Sequence, residues 1–204
     1  MSERRTPAQV WREMARGNER FVAGEPQHPR QDVERRTELS TGQAPHAALF
    51  GCSDSRLAAE IIFDKGLGDL FVVRNAGQVI SDSAIASLEY AVAVLDVPLV
   101  VVLAHDACGA VQAAIDLDDP DSRPLPPHIA GHIAGIRPAV RAAGSREPDA
   151  VSRAHLERTV KMLVERSELI SDAIAAGTLA VVGANYRLAE GRVTPDVVVG
   201  SVEP

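Results

Sequence analysis

After Pro45, short apolar runs alternate with segments of helical pattern, and few architectures accommodate this alternation. Each run has the length of a buried strand, and each is followed by a stretch that can return the chain to a parallel neighbour. The predicted strands cover residues 47–51, 70–73, 99–104 and 179–183. The predicted helices cover residues 58–63, 83–95, 109–117 and 151–176. The pattern therefore predicts an α/β fold with a mostly parallel central sheet and flanking helices.

The N-terminal segment precedes this alternation and has a helical pattern. Thr6 and Pro7 are typical of a helix start, and apolar residues at helical spacing predict a helix over residues 7–22. A second, polar helix is expected over residues 32–39. Together they predict an N-terminal helical arm packed on the outside. Its predicted extent is residues 1–42, before an α/β core of residues 43–204.

The C-terminal segment predicts an edge of the sheet. A turn at residues 189–191 separates the last apolar run from residues 193–199, which favours a hairpin with an antiparallel edge strand. Proline-rich residues 120–127 are expected to form a loop. A length of 204 residues is consistent with one core, so residues 1–204 are predicted to form a single domain.

The composition narrows the class of protein. Hydrophobic residues make up 46% of the chain and charged residues 24%, which is typical of a globular protein. A net charge of −7 disfavours nucleic acid and acidic membranes as partners, and an aromatic content of 3% disfavours a base-stacking surface. The sequence shows neither the apolar core of a signal peptide nor an apolar run near the ~20 residues that cross a bilayer. These features predict a cytoplasmic protein with reduced cysteines.

The two cysteines of the chain, Cys52 and Cys108, lie beside polar residues at the ends of predicted strands. Cys52 follows the first strand, whereas His105 follows the third strand and precedes Cys108 by about one helical turn. Sites in parallel sheets form beyond the carboxyl ends of the strands, so these three side chains are expected to converge. Two thiolates and an imidazole are typical zinc ligands, and they leave a fourth position for water or for Asp54. The sequence predicts one Zn²⁺ per chain.

Other interpretations of the cysteines and histidines compete with this one. The cysteines could be small buried apolar side chains, or they could form a disulfide, which a reducing compartment disfavours. His128 and His132 are four residues apart and could share a metal, but the glutamate of a zinc protease helix is missing, so a surface pair is favoured. The isolated histidines interpreted as solvated are His28, His46 and His155.

Three motifs together carry a family resemblance. They are Cys52-Ser53-Asp54-Ser55-Arg56, Phe71-Val72-Val73-Arg74-Asn75 and His105-Asp106-Ala107-Cys108-Gly109. With this set the chain resembles the β-class carbonic anhydrases, and the resemblance extends in character over nearly all of its length. It implies a zinc lyase that interconverts carbon dioxide and bicarbonate on a mostly parallel sheet. It also implies a homodimer or homotetramer in which the helical arm embraces a neighbouring chain.

The resemblance further implies roles for individual residues. Cys52, His105 and Cys108 would bind zinc, and Asp54 and Arg56 would form a catalytic dyad beside it. The residues that would shape the carbon dioxide pocket, partly from the partner chain, are Gln43, Phe71, Ala76, Tyr90 and Gly109.

One subgroup of the family rests with an aspartate on zinc and carries a tryptophan three residues before the first cysteine. Here Leu49 occupies that position, and Gln43 matches the subgroup with an open zinc site. The open form is therefore expected near neutral pH and above, with Asp54 on the metal only in a closed state at low pH. Gly77-Gln78 departs from the Ala-Asn of many relatives, which changes the expected lining of the pocket.

The residue types indicate a mechanism in which zinc-bound hydroxide attacks carbon dioxide. Zinc can lower the pKa of bound water to about 7. Two thiolates cancel the charge of the metal, so activity should rise on the alkaline side. Arg56 can hold Asp54 in a bidentate ion pair and leave it free to orient the hydroxide, although the pair could also be a structural salt bridge in a turn. Amides at the helix start near Gly109 would favour a developing bicarbonate.

Two further functions stay open from the sequence. A hydrolase of carbonyl sulfide or carbon disulfide on the same scaffold would use the same attack on a linear molecule. A non-catalytic protein, in which Asp54 permanently closes a structural zinc site, is the alternative from another class. Comparing turnover on carbon dioxide and on carbonyl sulfide distinguishes the hydrolase from a carbonic anhydrase. Measuring carbon dioxide hydration across a range of pH distinguishes the non-catalytic protein from an enzyme.

Overall fold

Five strands form one sheet at the centre of the structure. The computed structural model describes residues 5–117, 119 and 121–202. The strands are β1 (Ala47–Cys52), β2 (Leu70–Asn75), β3 (Leu99–His105), β4 (Ala180–Arg187) and β5 (Arg192–Val199). Their order is β2-β1-β3-β4-β5, and the neighbours are parallel except for β5, which is antiparallel to β4. The predicted mostly parallel sheet with an antiparallel edge strand is confirmed.

Helices cover both faces of this sheet. They are α1 (Pro7–Ala23), α2 (Val33–Glu38), α3 (Ala59–Ile62), α4 (Asp82–Ala93), α5 (Gly109–Asp116), α6 (Pro127–Ile133), α7 (Arg137–Ala142), α8 (Pro148–Arg166) and α9 (Glu168–Ala175), with a short 3₁₀ turn at Leu39–Thr41. The helices predicted after each of the first three strands are confirmed as α3, α4 and α5. None of the helices within the described ranges has the length and apolar character needed to cross a bilayer.

Burial on both faces explains why the central strands have continuous apolar sequences. Every residue of β1 and β3 is buried. On one face, Leu49 and Val101 pack with side chains of α1, α3 and α5, and on the other, Phe50 and Val102 pack with side chains of α4, α8 and α9. A strand covered on both sides has no solvent-facing positions, so its sequence does not alternate between apolar and polar residues.

The prediction of a single helix over residues 151–176 is wrong, because the helix is interrupted at Ser167. This residue has an extended backbone, with φ −121° and ψ 101°, and it separates α8 from α9. Its hydroxyl accepts a hydrogen bond from the Ile170 amide at 3.2 Å and donates one to Glu89 at 2.6 Å. The serine therefore caps α9, and the contact with Glu89 on α4 ties the break to the core.

Two short helices, α6 and α7, follow the loop predicted over residues 120–127, in a stretch for which the sequence pattern predicted no helix. Pro127 begins α6, while residues 118 and 120 lie outside the described residues. The buried side chains of the two helices are Ile133 in α6 and Ala139 and Val140 in α7. So few buried positions produce no recognisable helical period, which explains why the pattern missed them.

Helix α1 packs one face onto the core of its own chain, while Arg16 and Glu19 on its other side are exposed. Val10 and Met14 are fully buried against the sheet. The Asn18 side chain donates to the carbonyls of Ile62 at 3.1 Å and Gly191 at 2.7 Å, and accepts from the Val193 amide at 2.8 Å. In contrast, α2 has no buried residue and does lie on the surface.

Gly17 is expected to be intolerant of a side chain, because a Cβ there would lie 1.9 Å from the carbonyl oxygen of Phe63. We predict that Gly17→Ala lowers the free energy of unfolding by about 1–3 kcal/mol, since α1 must shift from α3. The matched control is Gly131→Ala in α6, where a Cβ meets nothing within 4 Å. Thermal melts of both variants test this, and equal melting temperatures would contradict the close packing of α1.

Candidate metal centre

The predicted zinc ligands converge beyond the carboxyl ends of two neighbouring strands. Cys52 is the last residue of β1, His105 is the last residue of β3, and Cys108 occupies the N-cap of α5. Their ligand atoms all lie within 4.8 Å of one another, and all three residues are buried. The sheet order places β1 between β2 and β3, so this is the switch point at which sites form in open α/β sheets.

The donor atoms of this group fit a zinc ion. His105 Nδ1 lies 2.8 Å from the carbonyl oxygen of Asp106, which can only accept a hydrogen bond. Nδ1 therefore carries the hydrogen, and the lone pair of Nε2 is left buried without a hydrogen-bond partner among the described residues. Both cysteines are free thiols. A buried lone pair beside two thiols is the arrangement expected of a Cys₂His metal site, with the histidine oriented by a backbone carbonyl.

The two thiols influence each other's ionisation. The hydrogen bond with Cys108, helped by smaller contributions from His105 and the Gly77 amide, lowers the pKa of Cys52 to about 4 against the effect of burial. The same contact raises the pKa of Cys108, and burial adds to that rise. The pair thus shares one proton readily, and a divalent cation would displace that proton because zinc binds thiolates.

Asp54 and Arg56 form a bidentate ion pair at the rim of the site. Arg56 Nε lies 2.9 Å from Asp54 Oδ1 and Arg56 Nη2 lies 2.7 Å from Oδ2, while the Arg56 amide donates to Oδ1 at 2.9 Å. The Arg56 guanidinium holds the pKa of the Asp54 carboxyl well below its usual range. Among the described residues, the group of mutually close ligand atoms leaves Asp54 outside. The carboxylate is therefore ionised and held by arginine.

Arg74 supports the strand end that carries Cys52 and Asp54, a role that the sequence reasoning missed. Its Nε donates to the carbonyl of Cys52 at 2.8 Å, and its Nη2 donates to the carbonyl of Asp54 at 2.6 Å. Arg56 Nη2 also reaches the carbonyl of Ala107 at 3.2 Å, which links this segment to the loop after β3. The sequence did contain a signal for this role, because Arg74 belongs to the motif of residues 71–75 that carries the family resemblance.

A tight turn after β2 contacts Cys52, one of the predicted metal ligands. The amide of Gly77 donates to Cys52 Sγ at 3.2 Å. The Asn75 side chain closes the turn by accepting from the Val79 amide and donating to the Val79 carbonyl, both at 2.8 Å. His155 is 3% exposed and bonds to the carbonyl of Gly77, so its interpretation as a solvated residue is wrong.

The five predicted pocket residues fall into two groups. Gln43, Ala76 and Gly109 are exposed, in the loop before β1, in the turn after β2 and at the first residue of α5. Phe71 and Tyr90 pack together, with ring centroids 6.1 Å apart. Phe71 faces the sheet side lined by Phe50, whereas Cys52 belongs to the opposite side. Within one chain, therefore, the two rings do not join the Cys52 group.

Comparison with known proteins identifies the family. The sequence profile described as carbonic anhydrase matches residues 47–193. Carbonic anhydrase 2 of Mycobacterium tuberculosis is 49% identical over 189 residues, which are 91% of this chain and 91% of the relative. The solved β-carbonic anhydrase CcaA superimposes with a TM-score of 0.70 at 26% identity, and covers 91% of this chain and 86% of its own. The chain belongs to the β-carbonic anhydrase family.

Further members of this family agree with that assignment. The carbonic anhydrase of Mycolicibacterium smegmatis is 48% identical over 190 residues, which are 92% of each chain. The structure of the β-carbonic anhydrase CafA of Aspergillus fumigatus matches with a TM-score of 0.69 at 28% identity, over 88% of this chain and 86% of its own. The resemblance stated from three motifs, and the prediction of a carbonic anhydrase enzyme, are confirmed.

Proposed function

We propose that this chain catalyses the reversible hydration of carbon dioxide to bicarbonate and a proton, with one Zn²⁺ held by Cys52, His105 and Cys108. The observation that carries the proposal is the buried group of three ligand atoms within 4.8 Å, in which the His105 lone pair has no hydrogen-bond partner among the described residues. Zinc bound there would lower the pKa of a water and supply hydroxide near neutral pH.

Asp54 is proposed to orient the attacking oxygen. Arg56 donates twice to Oδ1, from its amide and from Nε, both at 2.9 Å, and once to Oδ2 at 2.7 Å, so Oδ2 keeps a second lone pair for another donor. An ionised aspartate accepts hydrogen bonds and cannot donate them, so it selects one orientation of a donor that approaches it. Arg56 has the complementary role, because it prevents the carboxylate from turning toward the metal ligands. In this proposal the pair is catalytic as well as structural.

The start of α5 is proposed to receive the product anion. Gly109 is the first residue of α5 and follows the ligand Cys108 directly. A Cβ at Gly109 would meet nothing within 4 Å, so the space in front of the helix is open. The amides of a first helical turn favour a negative charge, and here they lie beside the ligand group. Ala76 and Gln43 are proposed to complete this side of the pocket.

The test measures carbon dioxide hydration and zinc content on the same sample. We expect about one zinc per chain and turnover that rises between about pH 6 and about pH 9. Asp54 is not the group that titrates, because its pKa is lowered and it is already ionised throughout that range. At lower pH we propose the closed state with Asp54 on the metal. A crystal structure at acidic pH with Asp54 still bound to Arg56 would contradict that state.

Two other functions stay as alternatives to this proposal. A structural zinc protein would need Asp54 as a permanent fourth ligand, and the ion pair with Arg56 opposes this. If the zinc-bound protein showed no carbon dioxide hydration at any pH, that result would support the structural zinc protein. Hydrolysis of carbonyl sulfide or carbon disulfide would use the same residues, so turnover on carbon dioxide and on carbonyl sulfide must be compared directly. Faster turnover of carbonyl sulfide would replace the proposed substrate.

We further propose a cytoplasmic homodimer or homotetramer. β2 is an edge strand, and apolar side chains near it are exposed: Tyr90 by 46%, Val94 by 61% and Ile61 by 55%. A second copy that covered this region could bring the Phe71 and Tyr90 rings of one chain to the site of another. Mass measurement in solution tests the assembly, and a monomer with full activity would exclude a contribution from a partner chain.

A further inference from the structure

Two histidines bond to consecutive carbonyl groups of the turn after β2. His132 Nε2 lies 2.7 Å from the carbonyl oxygen of Ala76, and His155 Nε2 lies 2.7 Å from that of Gly77. A carbonyl oxygen can only accept, so each imidazole carries a hydrogen on Nε2. His132 is half-exposed, as its interpretation as part of a surface pair implies, and this contact gives it a backbone partner. The neutral Nε2–H tautomer and the imidazolium both provide that hydrogen, so the contacts form in either charge state.

The His132 contact reaches Cys52 through a single peptide group. The carbonyl of Ala76 and the amide of Gly77 belong to the same planar peptide unit. That amide donates to Cys52 Sγ at 3.2 Å. A hydrogen bond received by the carbonyl polarises the peptide and strengthens the hydrogen bond that its amide donates. Imidazole, peptide and sulfur thus form one chain of hydrogen bonds that ends on a predicted zinc ligand.

Close packing around the turn after β2 keeps the Gly77 amide directed at Cys52 Sγ. Gly77 has a φ of +77°, and a Cβ there would lie 2.7 Å from Ala110 Cβ and 2.9 Å from Ile136 Cδ1. The His155 contact fixes the next peptide plane from the buried side, because this residue is 3% exposed. Helix α6, through His132, and helix α8, through His155, therefore both bond to this turn. These two contacts fix the direction of the Gly77 amide.

We propose that His132 and His155 are positioning residues, which hold the Ala76–Gly77 peptide so that its amide reduces the charge that Cys52 donates to the metal. The inference rests on the proposed zinc site. Hydrogen bonds to ligand atoms from surrounding groups tune the acidity of a bound metal. A site whose thiolates would otherwise cancel the zinc charge gains acidity from this hydrogen bond, so turnover reaches its plateau at a lower pH.

The test compares three variants in the zinc enzyme and in its cobalt-substituted form. His132→Leu removes the donor from a partly exposed position, His132→Gln retains a donor at the place of Nε2, and His128→Leu is the control on an exposed position of the same helix. For His132→Leu we expect the thiolate-to-cobalt charge-transfer band to move to longer wavelength and the apparent pKa of turnover to rise by about 0.5. His132→Gln and His128→Leu should match the unaltered enzyme.

Several outcomes would overturn the inference. An unchanged band and pKa in His132→Leu, or equal changes in His128→Leu, would show that His132 does not act on the sulfur. His155→Leu provides a second variant and should move both quantities in the same direction as His132→Leu, whereas His155→Gln retains a donor and should match the unaltered enzyme. If the unaltered protein binds neither zinc nor cobalt, the proposed site itself is wrong and the inference falls with it. A normal unaltered enzyme with an unresponsive His132→Leu overturns the inference alone.

Discussion

Replacement of Asp54 by asparagine is expected to lower carbon dioxide hydration by about a hundredfold or more while zinc stays bound. The substitution removes the negative charge and puts an amide group where a carboxylate accepts three hydrogen bonds from Arg56. The guanidinium would then repel the new N–H group, and the side chain could no longer select one orientation of a hydrogen-bond donor. Stopped-flow hydration and zinc content on the same preparation test this expectation.

The matched control for Asp54→Asn is Asp82→Asn. Asp82 also pairs with an arginine, Arg166 at 2.7 Å, but it lies at the start of α4 and its side chain is 95% exposed. The change in charge and shape is the same, but Asp82 lies outside the metal centre. We expect the control to keep full turnover. Normal turnover in Asp54→Asn would remove the carboxylate from the mechanism and leave the ion pair with Arg56 as a structural feature.

Replacement of Cys108 by serine is expected to abolish zinc binding and turnover without unfolding the protein. A serine hydroxyl is a far weaker zinc ligand than a thiolate, and even partners outside the ligand set change metal affinity about 10–100-fold. The fold should tolerate the change, because Cys108 occupies the N-cap of α5, where serine is among the favoured residues. We expect less than about one tenth of a zinc per chain, and turnover reduced by at least about a thousandfold.

Elemental analysis, circular dichroism and stopped-flow hydration together test this prediction for Cys108→Ser. An unchanged helical spectrum with lost zinc would assign the effect to the metal site and not to the fold. The unaltered enzyme treated with a chelator should lose turnover in the same way and regain it when zinc is returned. Retained zinc and turnover in Cys108→Ser would show that Cys108 is not a ligand, and would overturn the proposed ligand set.

The sequence was sufficient to predict the strands and the metal ligands because both leave local signals. β1 and β3 are buried on both faces, so their sequences are continuous apolar runs whose ends are easily recognised. Cys52 and His105 stand where those runs end, and the carboxyl ends of parallel strands lie at one edge of the sheet. Their convergence therefore required only the adjacency of β1 and β3, which the structure confirms.

Some elements depend on contacts that no local pattern records. Ser167 interrupts a long helical sequence because its hydroxyl can cap α9 and reach Glu89 on another helix. His155 stands in a polar stretch of α8, yet it is buried because α8 crosses the turn that contains Gly77. His132 was interpreted as one of a surface pair with His128, because no local pattern indicates its backbone partner either. The partners of His132 and His155, Ala76 and Gly77, are 56 and 78 residues away from them.

By itself the sequence determined the fold class, the three residues of the candidate metal centre and the family resemblance, because strand burial and motif spacing are properties of neighbouring residues. Only the tertiary structure decided which way Asp54 faces, which groups hold the Cys52 strand end, and that Phe71 and Tyr90 lie on the opposite side of the sheet from Cys52. These depend on hydrogen bonds and packing between distant segments. Side-chain direction follows from those partners, and spacing along the chain does not specify it.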